Sequence, residues 1–292
     1  MGMIDWLRRL FRVPGAPTPP AEPLAPPTPA PEPATPPIAQ DLEPIAPEQA
    51  EPPSPADDLL ALSQQRRDAF WARAGAVEND VLGHLISPSL MRGPHWPTTR
   101  QAYRIVRRGD DNTLIATDGM SDPAPGQTVN GFECELFIET ADLAPEVAGE
   151  PGEIEPIKRS WAFELLSHVA GMIAEVESAK AQFERYGVLS MEVPGVSQSS
   201  AIKAALPARF VSHDDALGIL IGAPAPDFPD HIADMPLSRV RLLPIVILTA
   251  AELAEIRAGD AETREAIAGR LAVAPTRHRS SLTRPSIVDE PD

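Results

Sequence analysis

The chain has 292 residues, a net charge of −17, 35 prolines and a single cysteine. Its acidic body and its mere three lysines repel phosphate backbones, which argues against nucleic-acid binding. Cys134 standing alone excludes an internal disulfide and a zinc site built on several thiolates.

Residues 3–13, MIDWLRRLFRV, divide cleanly on a helical wheel stepped at about 100° per residue. Ile4, Trp6, Leu7, Leu10 and Phe11 share one half with Met3 and Val13, while Asp5, Arg8, Arg9 and Arg12 share the other. The pattern predicts a short amphipathic helix that docks on a membrane surface or on a partner, because so short a helix is marginal in water by itself. Residues 14–56 hold about half of the 35 prolines, six acids and no base. They read as an extended Pro/Ala/Glu tether, with a reach on the order of 130 Å. No apolar run is long enough to span a bilayer, and the first residues given lack the long apolar stretch and small-residue cleavage site expected of a secretion signal. The expected location is the cytoplasm, with peripheral contact at the inner membrane through residues 3–13.

The folded part is expected over residues 57–275, a length sufficient for one sizeable core. A helix is predicted over 57–75, with Leu59, Leu62, Phe70 and Trp71 on its apolar side and Gly75 as its stop. A second helical piece is predicted from Asn79 to Ile86. Strand signals follow at Ala102–Arg107, Thr113–Thr117 and Phe132–Glu139. In the last, Phe132, Cys134, Leu136 and Ile138 alternate with Glu133, Glu135 and Glu139, the pattern of a sheet with one wet face. Cys134 is then a small buried hydrophobe. Residues 141–158 read as an acidic loop. Ser160 caps the clearest helix, whose apolar face runs through Trp161, Leu165, Val169 and Ile173 and whose pattern continues to Tyr186.

Further strands are predicted at Val188–Val193, Ala208–Val211, Leu217–Ile221 and Val240–Leu248; in the last, Pro244 marks an edge, a bulge or a bend. Thr249 and Glu252 form a capping box for a helix over 250–257, and another helix spans 261–272. Residues 276–292 read as a disordered tail. The element order gives an α+β domain, a mostly antiparallel mixed sheet packed against helices.

Four stretches, in order, carry a resemblance. They are Ala116–Pro123 (ATDGMSDP), Asn130–Thr140 (NGFECELFIET), Trp161–Ile173 (WAFELLSHVAGMI) and Arg241–Leu253 (RLLPIVILTAAEL). Together they resemble the small Gly-Leu-Ser-Asp turn, the following strand, the Trp-led helix and the late strand-to-helix element of the bacterial Suppressor-of-fused-like (SUFU-like) domain family. His95–Trp96 departs from the family pattern, because it lies well before the turn and is followed by Pro97. The resemblance implies non-catalytic protein binding without a cofactor. In the animal form a peptide strand of a transcription factor is clamped, and similar bacterial domains include immunity proteins that neutralise toxins. The partner-binding residues it points to are Asp118, Ser121, Asp122, Glu133 and Glu135, with a basic protein as the expected partner.

Two other sets of residues bear on chemistry. Asp118 and Asp122 flank a tight turn, where they make either a polar binding or cation rim or ordinary turn chemistry. His213, Asp214, Asp227 and His231 are metal-type ligands in loops; the alternative function they suggest is a metal-dependent hydrolase, although their spacing matches no helix-face motif. No nucleophile elbow and no Gly-rich phosphate loop is present.

Overall fold

The computed structural model describes residues 55–83, 87–109, 111–176 and 179–288. The docking helix expected at residues 3–13 and residues 14–54 of the tether expected at 14–56 lie outside the described residues, and Pro55 and Ala56, the last two of that tether, open a helix instead. The described residues form one compact unit.

Helix α1 (Pro55–Ala74) leads into β1 (Ala76–Gly83), β2 (Ala102–Arg107), β3 (Thr113–Asp118) and β4 (Cys134–Thr140). Helices α2 (Trp161–Glu175) and α3 (Ala179–Tyr186) follow, then β5 (Leu189–Pro194), α4 (Ser200–Ala205), β6 (Ala216–Ile221), the two-residue β7 (His231–Ile232) and β8 (Val240–Leu248). Helices α5 (Ala250–Ala258) and α6 (Ala261–Val273) end the regular structure. The strands make one eight-stranded sheet in the order β1-β2-β3-β4-β8-β6-β5, with β7 attached to β8. All pairings are antiparallel except β4 with β8. The fold is therefore α+β with a mostly antiparallel mixed sheet.

Both faces of the sheet are covered. One carries Ile105, Ile115, Leu136, Ile138, Ile219, Ile245 and Ile247 against Trp161, Leu165, Val169 and Ile173 of α2. The opposite face is divided. Over β2–β4, Phe70 and Trp71 of α1 meet Leu114, Phe137 and Phe228. Over β6 and β8, Ile267 and Leu271 of α6 meet Leu220, Val246 and Leu248. This corrects the expected wet face of β4, since every residue from Cys134 to Thr140 is buried. The acids of β4 are tolerated inside because α1 and the residue after β2 bring guanidinium groups to them and the C-terminal segment brings a histidine. Glu135 lies 3.8 Å from Arg67, and Glu139 pairs with Arg108 at 3.0 Å and His278 at 3.1 Å.

Local signals are realised where the pairing geometry agrees with them. Ser160 caps α2 by accepting from the Phe163 amide. Thr249 and Glu252 close the capping box of α5. Where tertiary pairing competes, it prevails. Residues 79–83, expected to be helical, extend as part of β1 because their backbone groups pair with β2 after Gly75 has ended α1. The helix expected to continue to Tyr186 ends at Glu175, where Val176 turns extended, and resumes as α3. Ala208–Phe210 is a 3-10 turn instead of a strand; it plugs Phe210 into the core and leaves Val211 a single bridge to Leu217.

The largest correction concerns the C-terminus. The parallel β4–β8 ladder runs from Cys134↔Arg241 to Phe137↔Pro244 and stops, because Pro244 has no amide hydrogen to continue it. Beyond it, β8 pairs with β6 on one side. On the other side, residues 276–288 enter the space between the parted strands. The Ser280 amide donates to the Glu139 carbonyl (2.9 Å), its hydroxyl donates to the Ile245 carbonyl (2.9 Å), and the Ile247 amide donates back to that hydroxyl (3.2 Å). His278 is buried at the end of a turn, and beyond it Ser280, Leu282 and Arg284 are buried while the residues between them are not, which is the alternation of an extended segment. Arg284 donates to the Ile247 carbonyl at 2.8 Å and holds Glu252 in a bidentate pair (2.6 and 2.5 Å). Burial would raise the Glu252 pKa, but the Arg284 partnership outweighs it and holds the carboxyl below its ordinary value. Of the segment expected to be disordered, residues 276–292, the described part up to residue 288 is a wedge in the sheet.

Arg284→Met strands Glu252 without its cation, and losing one member of a buried pair costs about 3–5 kcal/mol. Urea unfolding of the variant is expected to show a lower midpoint with an unchanged slope.

Candidate functional site

The turn between β3 and β4 contains most of the residues that the sequence assigns to partner binding, and the structure turns them inward. Asp118, Ser121, Asp122 and Glu135 are each at most 1 % exposed. They surround Arg67, itself fully buried on α1. The Arg67 Nε donates to Asp118 Oδ1 at 2.9 Å, Nη1 donates to the hydroxyls of Ser63 (3.0 Å) and Ser121 (3.2 Å), and Nη2 pairs with Asp122. Arg100 (2.7 Å) and Arg104 (2.9 Å) reach the second Asp118 oxygen from the outside. Glu135 accepts from the Ser121 hydroxyl (2.6 Å), the Ser121 amide (3.0 Å), the Gly119 amide (3.2 Å) and the Thr117 hydroxyl (2.5 Å).

The electrostatics follow from this arrangement. Burial pushes the Asp118 pKa upward, but the Arg100 hydrogen bond and the charges of Arg67, Arg100 and Arg104 outweigh it, so the carboxyl sits well below its usual range. Burial dominates at Glu135 and raises its pKa, with the Asp118 charge adding to the effect and Arg67, Ser121 and Thr117 only partly offsetting it. Arg67 is held more firmly protonated than usual, because Glu135, Asp118 and Asp122 together exceed its own burial penalty. Three carboxylates thus share a structural guanidinium. This cluster is the joint between α1 and the sheet, and it presents no rim to a partner.

Glu133 is the exception among the assigned residues. The backbone doubles back at Asn130-Gly131-Phe132-Glu133, with φ of 48° at Gly131 and 55° at Glu133. A Cβ on Gly131 would lie 2.4 Å from the Met120 carbonyl oxygen, so only glycine fits. A left-handed glutamate costs of order 1–3 kcal/mol, and such strain concentrates at functional sites. Here it sets Glu133 at the edge of a cavity of about 460 Å³. Phe132, Cys134, Ile173, Val176, Phe183 and Leu243 supply its apolar walls. Glu133, Lys180, Glu184, Arg239 and Arg241 supply the charged groups of its lining. Lys180 pairs with Glu133 and lies 3.8 Å from Glu184, and Arg239 pairs with Asp230 at 3.2 Å. Burial and the Glu135 charge push the Cys134 thiol up to about 12, which removes it as a nucleophile near neutral pH.

The cavity lies at the first residues of β4 and β8, where the two strands still pair, at the opposite end of the seam from the C-terminal wedge. Sequence reading missed Lys180, Phe183, Arg239 and Arg241. One signal was available: Arg239 and Arg241 stand two apart at the head of an otherwise apolar strand, a spacing that puts both on one side of it.

The loop residues of the alternative hydrolase reading are engaged elsewhere. Asp214 pairs with Arg257 at 2.9 Å, and Asp227 with Arg277 at 2.8 Å and His278 at 3.3 Å. His213 is 89 % exposed beside Asp214, and His231 lies against Asp230. Among the described residues no group of three or more His, Cys, Asp or Glu is arranged to hold a metal ion. No protein-family model matches the chain, and no match to a curated protein was found. Among the described residues no helix is long and apolar enough to cross a membrane.

Asp118 makes an acid-sensitive contribution to stability. Its folded pKa lies below the unfolded value of about 3.9, so the contribution is complete above that value and is lost as pH falls below it. Asp118→Asn is expected to lower stability at pH 7 and to flatten the acid limb of a stability–pH profile measured by chemical unfolding.

Proposed function

We propose that the chain is a non-catalytic protein-binding module of the Suppressor-of-fused-like type, with an immunity or regulatory role in a bacterial cell. The cavity at the β4–β8 seam is the observation that carries this reading. It is apolar on its walls and charged at its margin, and its volume falls in the range of cavities that hold ligands. It is large enough to take an apolar side chain of a partner together with adjoining backbone. The buried acids nearby support the same reading, because Asp118, Asp122 and Glu135 are occupied by Arg67 and its neighbours and are not poised for acid–base work. A partner strand seated at the cavity would draw specificity from the side chains around it.

Residues 3–13 are proposed to add a second, tethering contact, with lipid as the surface. Its basis is the segregation of Trp6, Leu7, Leu10 and Phe11 from Arg8, Arg9 and Arg12. Full-length protein is expected to sediment with anionic liposomes and the Trp6→Asp/Phe11→Asp variant to remain in solution. Equal sedimentation of both, or of neither, removes the membrane contact.

The binding reading is tested by a crosslinked pull-down from the native cell with mass spectrometry, comparing the full chain with Ala174→Trp, which fills the cavity. One abundant partner lost with Ala174→Trp is the expected result. No specific partner on the full chain sinks the proposal.

A further inference from the structure

Among the described residues, the lining of the cavity holds one cation that has no ion-pair partner. Lys180 already has Glu133 and Glu184, and Arg239 has Asp230. Arg241 lines the same cavity, and none of the ion pairs among the described residues includes it. Its guanidinium has one long contact, Nη2 to the Gly187 carbonyl at 3.4 Å, and lies 5.9 Å from the centre of the Phe183 ring. Its backbone is fixed, because its amide donates to the Glu133 carbonyl at 2.9 Å and its Cα pairs with Cys134 in the β4–β8 ladder. The side chain is half-buried, so its charge has lost part of its water without gaining a carboxylate.

Among the described residues Lys180 and Arg239 are answered by Glu133, Glu184 and Asp230, which leaves Arg241 as the lining cation to meet an incoming charge. The net charge of −17 favours a basic partner at long range, whereas Arg241 favours an anion at the cavity. The walls of Phe132, Ile173, Val176, Phe183 and Leu243 require an apolar group beside that anion.

Building on the proposed binding role of this cavity, we infer that its occupant is a partner peptide segment carrying a large apolar side chain next to an aspartate or glutamate, the apolar group on the walls and the carboxylate on Arg241. A guanidinium meets a carboxylate through two parallel hydrogen bonds, and such charge-assisted pairs are the strong ones. An apolar segment without an acid would leave Arg241 as it is, and a segment with a lysine in that place would face repulsion.

The test is a random seven-residue peptide display library panned on the full-length protein and, in parallel, on Arg241→Glu, Arg241→Gln and Ala174→Trp. Thermal unfolding checks that each variant is folded, and Ala174→Phe replaces the Trp variant if the latter is not. Peptides that pair an apolar residue with Asp or Glu are expected on the wild type and absent on Ala174→Trp. Their synthetic forms are expected to bind about 10-fold or more weakly to Arg241→Gln, and Arg241→Glu is expected to select Lys- or Arg-bearing peptides instead. Selection of basic peptides by the wild type, or equal binding of acidic peptides to Arg241→Glu, overturns the assignment of Arg241 while keeping the cavity as a binding site. If no selected peptide is sensitive to filling the cavity, both the assignment and the binding role fail.

Discussion

A single guanidinium with three carboxylates around it holds one side of this protein together. Arg67 projects from α1 into the turn that links β3 to β4, and Asp118, Asp122 and Glu135 converge on it. The attraction is offset by the cost of taking four charges out of water, so the cluster adds little to net stability compared with an apolar packing. What it does add is position. Turning α1 by one residue would point Arg67 away from the sheet and leave three acids buried without a cation. That penalty fixes the helix on its face and brings Phe70 and Trp71 onto Phe137 and Phe228. The same turn leads directly into the strained Gly131–Glu133 corner that shapes the cavity.

Charge pairing of this kind explains why parts of the fold were legible in the sequence and others were not. The capped start of α2 and the capping box of α5 depend on residues within a few positions of one another, and both formed as their spacing predicts. β4 was legible as a strand, but its second face was misjudged. Alternating acids signify water only when nothing basic covers them, and their partners come from α1 and from beyond residue 276. In α1 the leucines suggested the wrong stripe. Ser63, Arg67, Phe70 and Trp71 are the buried positions, whereas Leu62 is 37 % exposed. A buried arginine among apolar neighbours cannot be distinguished from a surface one until its carboxylates are in place. The C-terminal segment was judged on its polar, Ser- and Arg-rich composition. The spacing of Ser280, Leu282 and Arg284, each two residues after the last, held the better signal.

The candidate site was less legible than the fold for a related reason. A cavity at a strand junction is assembled from α2, α3 and the heads of two strands that are about a hundred residues apart in the chain, and no local pattern marks it. Of the residues the sequence assigned to partner binding in the folded part, only Glu133 faces it. The others were drawn from the right turn and serve the joint beneath it.

The seam between β4 and β8 has a mechanical consequence. Only four residue pairs join these strands directly, and they lie between the cavity at one end and the C-terminal wedge at the other. The short ladder is a fulcrum: Ser280 and Arg284 set how far the strands splay on one side, and the same splay sets the gape of the opening between Glu133 and Arg241 on the other. A displacement of residues 280–284 would therefore be carried through these four pairs to the mouth of the cavity, and an occupant of the cavity would be felt at Ser280.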